Sequence, residues 1–239
     1  MRNWTYSELQ EKVNNDLDIQ RDSIIGDTEM LGYANEAIDE AEAEIHKLGL
    51  ADEYFLATAF IPLVASTQHA DLPTNIYANK IKGLIYNNGS NVYPIRRFRK
   101  SNRFLEIEDI ANASSADTPL SYLLVNNSVY DPLDPTTGRK IMFLPIPQET
   151  AAQYVRIWFI RNANRMTVAG SVLDIPEFAN FVLSFMKVRC LQKEKDERFN
   201  DEVAVLTAQR KLMIDTLTEM VPDNDDVHEM DMSHYEEMS

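Results

Sequence analysis

Leu173-Asp174-Ile175-Pro176-Glu177-Phe178-Ala179-Asn180-Phe181-Val182-Leu183-Ser184-Phe185-Met186-Lys187-Val188-Arg189-Cys190-Leu191-Gln192-Lys193-Glu194-Lys195 is the stretch whose reading decides the fold. Phe178, Phe181, Val182, Phe185 and Met186 recur at i, i+3, i+4, i+7 and i+8. That spacing puts them on one wide apolar stripe of a helix. Asp174 followed three residues later by Glu177 reads as an acidic capping box. Leu173 and Phe178 stand at the two positions of a hydrophobic staple, and Pro176 falls in the first turn, where its missing N–H costs little. Three phenylalanines on one face need a large surface to bury against. The stretch therefore predicts a central core helix onto which other elements are delivered.

The helices on its N-terminal side follow from the same rules. Thr5 with Glu8, or Ser7 with Gln10, supplies a capping box for a helix over 5–17 with Leu9, Val13 and Leu17 inward. After a linker, Asp27 is expected to cap a longer helix ending near Leu48, about 33 Å long. Its stripe is Met30/Leu31, Ala34, Ala37/Ile38, Ala41, Ile45 and Leu48, and Gly49 stops it. The small alanine face suits close approach to the phenylalanine-rich helix. A last helix is expected over 201–220, with Val203, Leu206, Met213, Leu217 and Met220 on one side.

Between these helices the hydrophobic period changes from 3.6 to 2 and β-branched and aromatic residues take over. Strands are predicted over 54–64, 81–87, 91–98, 120–126, 140–144 and 154–161. Asn87-Asn88-Gly89-Ser90 reads as a hairpin turn, and 131–138, with two prolines, as a longer loop. Pro62, Pro73, Pro94, Pro145 and Pro147 fit strand edges and ends. A short helix over 101–113 would lie across the sheet. The fold class that results is α+β. A helical bundle built from both ends of the chain (1–51 and 166–220) is interrupted by an antiparallel sandwich or barrel-like module (52–165). An acidic tail (221–239) follows.

Charge separates along the chain. The whole carries −15 over 239 residues, and the last nineteen hold seven acids with no lysine or arginine. Leu72 to Leu105 contains no acid and seven cations, among them Arg96, Arg97, Arg99, Lys100 and Arg103. Such a polarised chain suits self-association or docking better than wrapping nucleic acid. Three uses of the basic cluster remain open: an ordinary exposed strand end, a protein-docking patch, or a collar facing DNA. A channel that passes DNA should avoid a tight phosphate grip, which favours docking over DNA binding. Met230, Met232, Tyr235 and Met238 in the tail are candidate anchors for a tether that folds on binding.

Site chemistry is sparse. The four histidines lack zinc-ligand spacing, and His46 is expected on a solvated helix surface beside Glu42. Cys190, the single cysteine, is expected buried and inert. Trp4 and Trp158 are assigned core or staple roles. No G-x-S-x-G motif or glycine-rich phosphate cradle occurs, and the acidic runs single out no carboxylate pair. The reading assigns no catalytic residue, cofactor or metal, and no enzyme activity. No apolar run is long enough to span a bilayer, and the N-terminus lacks the apolar core of a signal peptide.

Four landmarks spread over the chain carry a family resemblance. They are Asn35-Glu36-Ala37-Ile38 in the helix pair; Phe60–Ala65 running into Ser66-Thr67-Gln68-His69-Ala70-Asp71-Leu72-Pro73, then Ile81; Leu144-Pro145-Ile146-Pro147; and Ile160-Arg161 followed by Asp174-Ile175-Pro176-Glu177-Phe178. In this order the chain resembles the head–tail adaptor (connector) proteins of short-tailed bacteriophages, the tail tubular protein A-like family. The resemblance implies a virion structural protein at the head–tail junction, assembled in the host cytoplasm. It implies a ring of about twelve copies beneath the portal protein and above the tail nozzle, with tail fibres as a further partner. Double-stranded DNA would pass down its lumen without sequence-specific binding. A tail-fibre attachment or head-completion protein, or a virion hydrolase using a carboxylate pair, are the competing readings.

Overall fold

The computed structural model describes residues 2–18, 25–98, 121–126 and 139–221. The chain folds as α+β, from helices and antiparallel sheets. It divides into two compact units, one of residues 1–50 and 163–239 and the other of residues 51–162.

The first unit holds α1 (Tyr6–Leu17), α2 (Asp27–Lys47), α4 (Ala179–Glu194) and α5 (Phe199–Glu219). Helix α4 is its hub, because α1, α2 and α5 all pack against it. The five stripe residues from Phe178 to Met186 are buried, and so are Leu183, Val188, Cys190 and Leu191. Phe181 and Phe185 tilt against each other with ring centroids 6.2 Å apart. Helix α4 is thus apolar over most of its circumference, more than the predicted stripe required. Lys195 closes it in the left-handed conformation, and the Asp196 N–H reaches back to the Leu191 carbonyl.

The start of this helix departs from expectation. Asp174 is not the N-cap residue, a position that Ile175 takes for the 3-10 turn and Phe178 for α4. Its carboxylate accepts the Asn164 backbone N–H at 2.9 Å, and a single 3-10 turn (Pro176–Phe178) leads into α4 without a side-chain cap. The Asn164 N–H thereby gains an acceptor. The true capping box is at α1. Thr5 Oγ1 accepts the Glu8 N–H, and the Glu8 carboxylate accepts the Thr5 N–H at 2.8 Å. These bonds to the charged form hold the Glu8 carboxyl below its usual range. Asp27 is likewise not the cap of α2. Gly26 is, without a side-chain bond, and Asp27 instead accepts from the Gln10 amide at 2.7 Å.

The inner stripe of α2 is as expected, with Met30, Ala34, Ala37, Ile38, Ala41 and Ile45 buried. Gly49, at φ +81°, turns the chain out of it, a conformation glycine adopts at little cost. Helix α5 buries only Met213 and Leu217 completely, while Met220, predicted inward, is 47% exposed. One further device was not anticipated. The segment returning to α4 is strapped onto α2 by Asn35, whose amide oxygen accepts the Met166 N–H at 2.9 Å and whose amide nitrogen donates to the Met166 carbonyl at 3.0 Å. Four and seven residues on, Asp39 pairs with Arg165 at 2.7 Å and Glu42 accepts the Ala163 N–H at 3.1 Å. His46 belongs to the same face. Its side chain is buried beside Glu42, at 3.6 Å, rather than solvated as expected.

The second unit is a sandwich of two four-stranded sheets, ordered β1-β8-β3-β4 and β2-β7-β6-β5. Its strands are β1 (Leu56–Leu63), β2 (His69–Asp71), β3 (Ile76–Asn87), β4 (Val92–Pro94), β5 (Arg96–Arg97), β6 (Ser121–Asn126), β7 (Arg139–Leu144) and β8 (Ala151–Arg161). Ile61, Leu84, Tyr86, Ile157 and Phe159 from one sheet and Tyr122, Ile141 and Phe143 from the other form one core. All pairs are antiparallel except β5 with β6. The predicted strand over 91–98 is really two. Val92–Pro94 pairs with β3, then the chain crosses to the other sheet after the buried Ile95. Pro94 has no N–H to continue the ladder, and its edge position tolerates that loss. The predicted start at Tyr54 is also corrected, because Ala51–Phe55 forms a short helix, α3, before β1. The hairpin at 87–90 is present, with Asn88 Oδ1 accepting the Ser90 and Asn91 N–H groups and Gly89 at φ +88°. The expected helix over 101–113 and the loop over 131–138 lie outside the described residues.

Two stability changes follow. Phe181→Ala should cost about 3–5 kcal/mol, since it removes a buried ring from the hub. Urea denaturation of the purified chain would show the midpoint falling, and a midpoint close to wild type would deny α4 its central place. Asn35→Ala should cost about 1–3 kcal/mol through the Met166 groups it strands. Asn35→Asp should be no better, because it sets a carboxylate oxygen against the Met166 carbonyl, and thermal unfolding of the pair of variants measures this.

Candidate functional site

Arg96 and Arg97 form β5, at the edge of the second sheet, and both are exposed. They align with Ser121 and Tyr122 of β6, and the Phe98 N–H bonds the Tyr122 carbonyl at 2.8 Å. Burial is the main reason the Tyr122 hydroxyl sits above its usual pKa, with Arg97 opposing the shift. Arg99, Lys100 and Arg103 lie outside the described residues, as do Met230, Met232, Tyr235 and Met238. The other cations of the acid-free segment belong to a different sheet. On β3, Lys82 pairs with Asp52 at 2.6 Å and Lys80 stands 5.1 Å from the Tyr77 ring. The four described cations of the segment are therefore parted by strand order, Lys80 and Lys82 on one sheet and Arg96 and Arg97 on the other.

A second surface was not foreseen from the sequence. Strand β8 is the centre of the first sheet's outer face, between β1 and β3. There Arg156 is aligned with Phe60 on one side and Ile85 on the other. Its guanidinium lies 5.1 Å from the Phe60 ring and 5.8 Å from the Trp158 ring. Phe60 is 44% and Leu56 49% exposed. Trp158, assigned to the core from the sequence, is half-buried on this outer face. Beside its ring Gly83 opens a depression of about 300 Å³, bounded by Asp52, Leu56, Lys82 and Trp158. The alternation of β8 (Val155, Ile157 and Phe159 in, Arg156 and Trp158 out) is written in the sequence. What hides it is that aromatic residues occupy both faces.

No group of three or more potential metal ligands comes together among the described residues. Cys190 is fully buried in α4, and burial, with Glu194 and Glu29 adding, pushes its thiol up to about 12. A model of the SU10 adaptor protein family matches residues 4–232.

The chain belongs to this family. No curated protein matches it. As an SU10 adaptor it is a structural component of a phage virion and interacts with other virion proteins. No helix among the described residues is long and apolar enough to cross a membrane.

The thiol gives a direct check on the core of the adaptor. The neutral thiol is favoured in the folded state, so its contribution is complete below the unfolded value of about 9. It is lost as pH rises from there toward about 12. Native protein at pH 8 should resist iodoacetamide and react fully in urea, as mass spectrometry of the alkylated chain would show. Rapid labelling without denaturant would contradict the burial of Cys190.

Proposed function

We propose that this adaptor assembles as a ring, of about twelve copies, that joins the portal of a short-tailed phage to its tail nozzle. It acts by self-association, docking and sealing, without turnover, and the genome passes through its lumen. Tail fibres are a further partner. The family match over residues 4–232 is the observation that carries this reading. Charge separation supports it, because an acid-free cationic segment and an acidic end on one chain favour ordered contacts between copies and with a charged partner.

In this reading Arg96, Arg97, Arg99, Lys100 and Arg103 meet acidic surface on the portal or on a neighbouring copy. The exposure of Arg96 and Arg97 at a sheet edge is compatible with such contact. DNA then passes without a firm hold, as rapid transit requires, since each neutralised phosphate adds salt-dependent affinity. Met230, Met232, Tyr235 and Met238 anchor the tail in pockets of the portal or an adjacent subunit.

The test is size-exclusion chromatography of the chain alone and mixed with portal protein. A ring in the presence of portal is the expected result, and stable failure to bind portal would end the proposal. Arg96→Glu with Arg97→Glu and Arg99→Glu should reduce portal binding by tenfold or more at low salt. Unchanged assembly in that variant would remove the basic segment from the interface.

A further inference from the structure

We infer that the outer face of the first sheet, centred on Arg156, is a docking surface for the acidic segment 222–239 of a second copy of this chain. The inference rests on the reading that copies assemble, and it names the place on the neighbouring copy that receives the tail.

The surface has the wrong composition for an idle sheet face. An outward-facing guanidinium on the central strand is framed by two aromatic rings, one of which is 44% exposed. No carboxylate among the described residues forms an ion pair with Arg156, whereas Lys82 on the neighbouring β3 is paired with Asp52. A cation held over aromatic faces keeps its N–H edge available, and that edge matches a carboxylate in a bidentate pair. Leu56, Phe60 and Trp158 around it offer apolar area that water covers poorly. The partner that fits carries carboxylates and flexible apolar side chains in alternation.

Segment 222–239 has that chemistry. Glu229-Met230-Asp231-Met232 alternates acid and methionine, and Tyr235-Glu236-Glu237-Met238 repeats the combination. Methionine sulfur makes favourable contacts at aromatic edges, and its unbranched chain adapts to a shallow depression such as the one beside Trp158. The segment has seven acids and no lysine or arginine, so an isolated arginine among apolar residues is complementary to it. Eighteen residues, fully extended, reach up to about 60 Å, enough to bridge to a second copy.

A fluorescein-labelled peptide of residues 221–239 titrated with the intact full-length chain tests this by anisotropy. Saturable binding that weakens at least fivefold between 50 and about 500 mM salt is expected, from the screening of charge pairs. Arg156→Glu should weaken it tenfold or more, with circular dichroism confirming the fold. A peptide in which Asp225, Asp226 and Asp231 are replaced by lysine should bind Arg156→Glu better than it binds wild type. Charge-swap recovery of this kind separates a lost contact from a damaged sheet. Absence of binding to wild type, or equal binding to Arg156→Glu, would overturn the inference. So would displacement of the peptide from this face by a short oligodeoxythymidine, or loss of binding on Arg96→Glu with Arg97→Glu instead. The titration needs a single copy and no ring. Its failure therefore removes this docking site while leaving ring formation, read by size exclusion with portal, untouched.

Discussion

Enclosure of α4 is the constraint from which the helical unit follows. A helix that is apolar on most of its sides cannot lie at a surface. Phe181, Val182, Phe185, Met186, Cys190 and Leu191 point in several directions, and each direction needs a cover. Helices α1, α2 and α5 provide three covers. The alanine face of α2 lets backbones come close, so that Ala34, Ala37 and Ala41 are fully buried without large side chains of their own. Helix α5 gives less, which is why it keeps Val205 and Leu212 in solvent while α4 keeps nothing apolar there.

Building a hub from late sequence has a cost that the chain must offset. Residues 163–175 have to run along α2 with little secondary structure of their own, and their buried polar groups need partners. Asn35 answers this with two bonds to one residue, Met166, which is itself 1% exposed. Asp39 and Glu42 continue the row, at the four- and three-residue steps that keep side chains on one helix face. The edge strand-like pairing of Thr5 with Val172, and the bonds from Tyr6 and Ser7 to Ser171 and Ala169, fasten the same segment to the start of α1. A polar row on α2 that looks like a solvated acidic face is therefore a clamp for irregular backbone.

These differences mark what could be read from sequence and what could not. Periodicity located α1, α2, α4, α5 and most strands, because each hides one face in a core and the period records it. It located them less well where both faces are apolar. Trp158 and Phe60 look like core residues in a list of letters, and only the pairing of β8 with β1 and β3 puts them outside. Local capping chemistry was a weaker guide. Asp174 and Asp27 have the residue type and spacing of caps, yet Ile175 and Gly26 take the N-cap positions, and the two carboxylates accept from Asn164 and Gln10. His46 misled for the opposite reason, since a histidine next to a glutamate on a polar helix face carries no sign that its side chain will be buried. Of the candidate docking residues, Arg96 and Arg97 are strand residues, as the period-2 pattern over 91–98 indicates. What the sequence could not convey is that strand order would part them from Lys80 and Lys82.

Charge in the helical unit is largely spoken for, and this bears on where partners can act. Glu29 pairs with Lys193, Glu36 with Arg189, Asp16 with Lys187, and Arg210 bridges Glu40 and Glu44. Exposed pairs of this kind contribute about 0–1 kcal/mol each, too little to explain the fold. Their use is directional. Every one of these pairs joins two helices, so a sliding or rotated packing would separate several charges at once. A surface whose charges are already matched from within has little to offer an incoming charged segment. Arg156 is in a different state, because the groups around it are rings and aliphatic side chains. Rings attract a cation without neutralising it, so the field of Arg156 still projects outward. In a chain of net charge −15, such a cation is where an acidic partner segment can gain contact without displacing a carboxylate first.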